Sequence, residues 1–239
     1  MEKLRPVVFG PDRLPGFETG DPNQPAVILL QEWWGVTPIV KQQAALLSER
    51  GPFRVLVPDL YKGVVGVDME EAGHLMTGLD FRRAVRELQQ AVDYLRATGS
   101  PRVAISGGCM GGALSFAAAQ YVNGLAAAAP FYGTPAREMP WIEVDKIRIP
   151  VQYHTGMLDP ILGFSDPRNA VEVTDKMRAA GGDVELHLYD NTPHSFLNAL
   201  TPEGAEFLRR WRYGVPPPEQ VTLAFDRLVH FLNRHLRAP

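Results

Sequence analysis

Short apolar runs alternate along the chain with longer stretches of helical period. Ala26-Val27-Ile28-Leu29-Leu30, set between Pro25 and the polar pair Gln31-Glu32, reads as a strand buried on both faces. Thr37-Pro38 opens a helix to about Arg50, with Thr37 as its N-cap and Pro38 in its first turn, and Gly51-Pro52 stops it. Arg54 to Pro58 is the next strand, and Asp59 to Gly78 a glycine-containing excursion with room for a short helix. From Asp80 to Arg96 the residues Phe81, Ala84, Val85, Leu88, Ala91, Val92 and Leu95 recur at three and four, the single stripe of an amphipathic helix. Val103-Ala104-Ile105 is a third strand, from which a glycine-rich turn leads into a small-residue helix, Gly112 to Tyr121. Further strands are expected at Leu125 to Ala129, Val151 to His154 and Val184 to Leu188. Helices are expected near Arg168 to Ala180, stopped by Gly181-Gly182, and from Thr222 to Leu236.

Strand and helix patterns in this alternation predict an α/β fold, a mostly parallel central sheet with helices on both faces. One domain over residues 1–239 is expected, its core running from about 26 to 236. The 239 residues fall between one and two typical domain lengths, and chains of this size in α/β folds often stay single. There is no internal repeat. Pro216-Pro217-Pro218 reads as a stiff lead into the last helix, and Arg209, Arg210 and Arg212 as a solvated helix face.

The single cysteine cannot form an internal disulfide. With 24 Lys+Arg against 27 Asp+Glu the net charge is −3, which offers no footprint for a nucleic-acid backbone, and no run nears the roughly 20 apolar residues of a membrane span. The first residues, Met1-Glu2-Lys3-Leu4-Arg5-Pro6, lack the apolar stretch of a signal peptide. The expectation is a cytoplasmic protein, monomeric or weakly homo-oligomeric, with neither nucleic acid nor membrane as partner.

Gly107-Gly108-Cys109-Met110-Gly111-Gly112 joins a strand to a helix in the G-x-C-x-G pattern of a nucleophile elbow, with cysteine where serine is more usual. Glycines suit the flanks, because side chains there would strike the sheet or the next helix. A lone cysteine is more often a small buried hydrophobe, and a glycine-rich turn can cradle phosphate. The phosphate-loop pattern is missing, however, since Gly112 is followed by Ala113-Leu114. A nucleophile needs a base and an orienter, and both follow in the expected order just beyond strand ends: Asp159 in Thr155-Gly156-Met157-Leu158-Asp159-Pro160, and His194 in Thr192-Pro193-His194-Ser195. Asp166 and Asp190 compete with Asp159. His154 and His187 sit within strands and read as structural, while His74, His230 and His235 lie on helical or loop faces. No histidine spacing matches a zinc site, and neither metal nor organic cofactor is expected.

Together these segments resemble the dienelactone hydrolase family of α/β hydrolases. The resemblance rests on Gln31-Glu32-Trp33-Trp34-Gly35, Pro58-Asp59-Leu60-Tyr61, the cysteine elbow, Gly156-Met157-Leu158-Asp159 and His194-Ser195-Phe196. It implies that Cys109 attacks a lactone or ester carbonyl and forms an acyl-enzyme. His194 then helps water to hydrolyse that intermediate while Asp159 holds the imidazole. In relatives the carboxylate matching Glu32 contacts the resting thiol and is repositioned to take its proton. The implied oxyanion donors are the backbone amides of Met110 and Trp33.

Relatives hold a substrate carboxylate with arginines. This chain has Asn198 at one such place and no arginine from Asp68 to His74 at the other. Trp34, Tyr61, Tyr132, Phe196 and Asn198 are therefore expected to face substrate in a rather apolar pocket, Trp33 with them, although each aromatic is otherwise a good core residue and for Trp34 and Tyr132 the two readings weigh about evenly. The expected partner is a small-molecule lactone or ester. A general carboxylesterase or thioesterase is the nearest alternative, and a non-catalytic scaffold that binds a small molecule is the alternative of another class.

Overall fold

The computed structural model describes residues 4–135 and 139–237. Eight strands form one sheet in the order β1-β2-β4-β3-β5-β6-β7-β8: Arg5–Phe9, Leu14–Thr19, Ala26–Leu30, Arg54–Pro58, Val103–Gly108, Leu125–Phe131, Val151–Gly156 and Val184–Tyr189 for β1 to β8. From β4 onward across the sheet all neighbours are parallel, whereas β1 and β2 form an antiparallel hairpin whose second strand pairs with β4. That hairpin lies before the expected start of the core. Its prolines, Pro6 and Pro15, mask it in sequence, and such residues are confined to the margins of sheets.

The buried strands place alternate residues on opposite faces. Ala26, Ile28 and Leu30 pack with Leu88, Val92 and Leu95 of α3 (Phe81–Ala97) and with the alanines of α4 (Met110–Tyr121). Val27 and Leu29 point the other way, toward Val40, Ala44 and Leu47 of α1 (Pro38–Arg50) and Leu228, Phe231 and Leu232 of α7 (Pro218–Leu236). Burying each such Leu or Phe side chain is worth roughly 1.5–3 kcal/mol. The two apolar layers thus fix the sheet between helices on both faces, as the sequence pattern predicts.

Helix ends follow their caps. Thr37 accepts from the Val40 amide at the start of α1, and Asp80 from Arg83 at the start of α3. α2 (Met69–Thr77) fills the excursion after β4, α5 (Pro167–Ala179) follows β7, and α6 (Pro202–Arg210) precedes the terminal helix and carries Arg209 and Arg210 exposed. Among the described residues no helix is long and apolar enough to cross a membrane.

Candidate active site

Five adjacent parallel strands, β3, β5, β6, β7 and β8, end on one edge of the sheet, and the loop after each supplies a residue to a single site. Glu32 and Trp33 follow β3, Cys109 follows β5, Tyr132 follows β6, Asp159 and Ser165 follow β7, and His194 and Ser195 follow β8.

Cys109 sits between β5 and α4 at φ 54°, ψ −120°, a conformation unusual for a side-chain-bearing residue. Its amide donates to the Phe131 carbonyl at 3.1 Å, and its carbonyl accepts from Ala113 at 3.1 Å. Close approach explains the neighbouring glycines. A Cβ on Gly111 would lie 2.7 Å from the Gln31 carbonyl oxygen, and one on Gly112 2.4 Å from that of Phe131. Helix α4 therefore begins at Met110, directly after the cysteine and two residues earlier than its small-residue pattern suggests, and the amides of a helix's first turn have no intrahelical partners.

The His194 Nδ1–H donates to Asp159 Oδ2 at 2.7 Å, with both side chains buried. Asp159 Oδ1 accepts from the Ser165 hydroxyl at 2.7 Å and from the Ile161 amide at 3.2 Å, while Ser165 Oγ stands 3.2 Å from His194 Nδ1. Ser165 escaped the sequence reading because an isolated loop serine carries no pattern. Burial works against a charged imidazole at His194. The adjoining Cys109 sulfur and the Asp159 carboxylate outweigh it, pushing the pKa up to about 10. Asp166 is occupied as the cap of α5, accepting from Asn169 at 3.0 Å and Gly163 at 2.6 Å, and Asp190 is exposed, so neither competes with Asp159.

Glu32 lies behind this row. Its carboxylate accepts from the Tyr132 hydroxyl at 3.0 Å, Ser195 at 3.2 Å and the Asn198 amide at 3.3 Å. These bonds turn it toward the rear of the site, with no hydrogen bond to the Cys109 sulfur, unlike the resting contact that the family resemblance implies. Burial raises its pKa, against the opposing pull of His194 and those three donors. Tyr132 (φ 34°) and Ser195 (φ 58°) both occupy left-handed backbone, which aims their hydroxyls at this carboxylate.

A cleft of about 590 Å³ opens over Cys109 and His194, walled by Trp33, Met76, Phe81, Met110, Met139 and Phe164 among others. The other aromatics expected to face substrate do not line this cleft: Trp34, Tyr61, Tyr132 and Phe196 are all buried, and their rings pack in the core, Tyr132 with its ring 5.2 Å from His194. Trp34 packs against Trp33, Phe207 and Trp211, and Phe196 against Phe131, Tyr132 and Tyr189. Buried Tyr61 donates its hydroxyl to the Met110 sulfur at 3.3 Å. Tyr132 and Asn198 serve Glu32, and Asn198 is itself fixed by Gln43 at 3.0 Å. Tyr213, absent from the sequence expectations, lines the cleft with its ring 5.9 Å from His194. His154 is buried between Phe131 and Tyr189 and bonded to Tyr189 and Gln152, the structural role expected of it. Among the described residues no group of three His, Cys, Asp or Glu side chains is disposed to hold a metal ion.

Comparison with known proteins finds matches along most of the chain. A model described as the dienelactone hydrolase family matches residues 15–236. The chain is 29% identical over 220 residues to a carboxymethylenebutenolidase of Rhodococcus opacus, covering 88% of this chain and 81% of that one. It is 29% identical over 191 residues to carboxymethylenebutenolidase 1 of Cupriavidus pinatubonensis, covering 75% and 78%. A dienelactone hydrolase-like promiscuous phosphotriesterase from metagenomic libraries superposes with a TM-score of 0.77 at 22% identity over 98% of both chains, a likeness of fold.

Proposed function

For a chain that belongs to the dienelactone hydrolase family, we propose hydrolysis of small lactones or esters through a Cys109 acyl-enzyme. The observation that carries this reading is a strained cysteine at the floor of a cleft, beside an imidazole whose far nitrogen is bonded to a buried carboxylate at 2.7 Å. A binding scaffold has no use for that arrangement.

The Cys109 sulfur attacks the carbonyl carbon, a C–S bond forms, and the carbonyl π electrons move onto oxygen. The Met110 and Trp33 backbone amides receive that oxyanion; both residues border the cleft, and the first amides of a helix favour negative charge. As the C–O bond breaks, the departing alkoxide takes the proton of the His194 imidazolium, and a lactone opens in this step while remaining tethered to sulfur. Neutral His194 then removes a proton from water. The resulting hydroxide attacks the thioester, and collapse releases the acid and returns the thiolate–imidazolium pair. Asp159 keeps Nδ1 protonated, so that Nε2 is the nitrogen that exchanges protons. When the cysteine rests as a thiol beside a neutral imidazole, Glu32 moves from its three donors to accept the thiol proton and passes it to the departing alkoxide in place of the imidazolium, a task for which its raised pKa makes it the stronger base.

The test mixes the protein, and separately its Cys109→Ala variant, with p-nitrophenyl acetate and with cis-dienelactone. Turnover by the parent and loss of at least a thousandfold in the variant is expected. Equal rates for the two proteins, or no turnover of either substrate, overturns the reading. A general carboxylesterase uses the same steps; the lack of a cation among the described residues lining the cleft favours it over an enzyme restricted to carboxylate-bearing lactones.

A further inference from the structure

The cleft is far larger than the acetyl group of a test ester, and its chemistry is one-sided. At about 590 Å³ it falls among sites that enclose ligands of many heavy atoms. Apart from the reacting Cys109 and His194, its described lining offers polar atoms at few places, the Thr77 and Tyr213 hydroxyls among them, and no Lys, Arg, Asp or Glu. Three of the chain's seven methionines, Met76, Met110 and Met139, line it. Unbranched thioether side chains adapt to guests of different shape. At the mouth the apolar surface continues outward, with Leu162 86% exposed and Ile161 38% exposed on the loop that follows β7. An isolated exposed leucine carries no meaning, but one continuous with a cleft wall extends the surface along which a chain can lie.

From this surface we infer that the site takes uncharged, hydrophobic acyl groups of medium length, laid along the methionine and phenylalanine wall from Cys109 toward Ile161 and Leu162. The inference rests on the proposed ester hydrolysis and adds the substrate class. Among the described lining residues no guanidinium stands ready to receive a carboxylate on the acyl group, and desolvating an ion without a partner is heavily unfavourable. Each methylene, by contrast, leaves water for an apolar wall. Burial of one CH₂ contributes about 0.8 kcal/mol, close to a fourfold gain per carbon for as long as the wall continues.

The experiment has two arms. In the first, kcat/KM is measured for p-nitrophenyl acetate, butyrate, hexanoate and octanoate, each below its micelle concentration, beside the p-nitrophenyl hemiester of succinic acid as the charged counterpart of the butyrate. A rise of about threefold to fourfold per carbon through hexanoate is expected, with the hemisuccinate at least thirtyfold below the butyrate. A flat or falling series, or parity between hemisuccinate and butyrate, overturns the inference while leaving ester hydrolysis standing.

The second arm does not depend on turnover. Calorimetry on the Cys109→Ala protein measures the dissociation constants of the same esters, which are expected to tighten with chain length by a similar factor. Constants that do not change from acetate to octanoate overturn the inference even if no ester is cleaved. Met76→Arg, on half-exposed α2, places a cation on the wall. The ratio of hemisuccinate to butyrate turnover is expected to rise at least tenfold. An unchanged ratio in a folded variant removes Met76 from the acyl path and overturns the proposed wall.

Discussion

Replacing Asp159 with asparagine tests the triad through its hydrogen-bond directions. The carboxylate has two sets of partners: Oδ2 accepts from His194 Nδ1 at 2.7 Å, and Oδ1 accepts from the Ser165 hydroxyl at 2.7 Å and the Ile161 amide at 3.2 Å. An asparagine has one oxygen for these two sets. The Ile161 N–H can only donate, so the amide oxygen stays on its side and the NH₂ faces His194. That NH₂ can only donate as well, which forces the proton off Nδ1 and onto Nε2, the nitrogen that has to accept one. The wrong tautomer in a comparable triad lowers turnover by about 10⁴, and a loss of 10³–10⁴ corresponds to about 4–5.5 kcal/mol of transition-state stabilisation. The assay is kcat/KM on a neutral ester near pH 7.5, with the tautomer read from the imidazole ¹⁵N shifts of His194. A loss under tenfold, or a larger loss with Nδ1 still protonated, refutes the reasoning. The fold should survive, because size and shape barely change and Ser165 can rotate its hydroxyl.

The raised pKa of His194 gives a pH prediction with a definite sign. Its protonated form is favoured in the folded protein up to about pH 10, against an ordinary 6.5, so its contribution to stability is complete below 6.5 and is lost as the pH climbs through 10. Turnover of alkyl esters, whose alkoxide needs the imidazolium proton, should fall along the same limb, whereas p-nitrophenyl esters should not; identical limbs for both contradict that role. Glu32→Gln keeps acceptor and shape but removes the base, and should slow alkylation of Cys109 by iodoacetamide at pH 6–7 and lower kcat/KM about a hundredfold. Unchanged alkylation would exclude Glu32 from thiol deprotonation. Away from the site, Glu18 and Arg54 form a buried pair at 2.6 Å, with Arg54 also donating to Thr98 at 2.8 Å. Glu18→Gln leaves that guanidinium without its counter-charge and should cost about 3–5 kcal/mol, lowering Tm by roughly 10 °C; a shift below 2 °C in calorimetry argues that water already reaches the arginine.

The central strands and helices are legible in sequence because burial on both faces writes uninterrupted apolar runs such as Ala26 to Leu30, and one-sided burial writes the three-and-four stripe of α3. The hairpin of β1 and β2 is not, since a strand near the margin tolerates Pro6, Pro15 and Gly16 and loses its alternation. The candidate site divides in the same way. Cys109, Asp159 and His194 could be ordered from strand ends alone, because a parallel sheet brings successive carboxyl ends to one edge. The cleft wall could not. Phe196 and Trp34 do not differ in composition from Phe81 and Trp33, and only the packing of Phe131, Tyr189, Phe207 and Trp211 decides which rings face solvent.

Strain links the fold to the site. Cys109, Tyr132 and Ser195 all hold positive φ, and each lies within the loops that follow β5, β6 and β8. Such a conformation in a residue other than glycine costs about 1–3 kcal/mol, so the three together approach the whole net stability of a small protein. Loops alone cannot hold it. The hydrogen bonds that fix these residues end on the sheet or on the site itself: Cys109 on Phe131, Tyr132 on His154 at 2.7 Å, and Ser195 on Glu32. Strands β5 and β6 are buried along nearly their full length, and their backbones cannot give way without opening the core. The sheet therefore bears the strain and the loops display it, which places the sulfur above its cleft and the two hydroxyls on one carboxylate. A core substitution beneath β6 that leaves every site residue in place should on this argument loosen Tyr132 first, and through it Glu32, before it touches the Asp159–His194 bond held from β7 and β8.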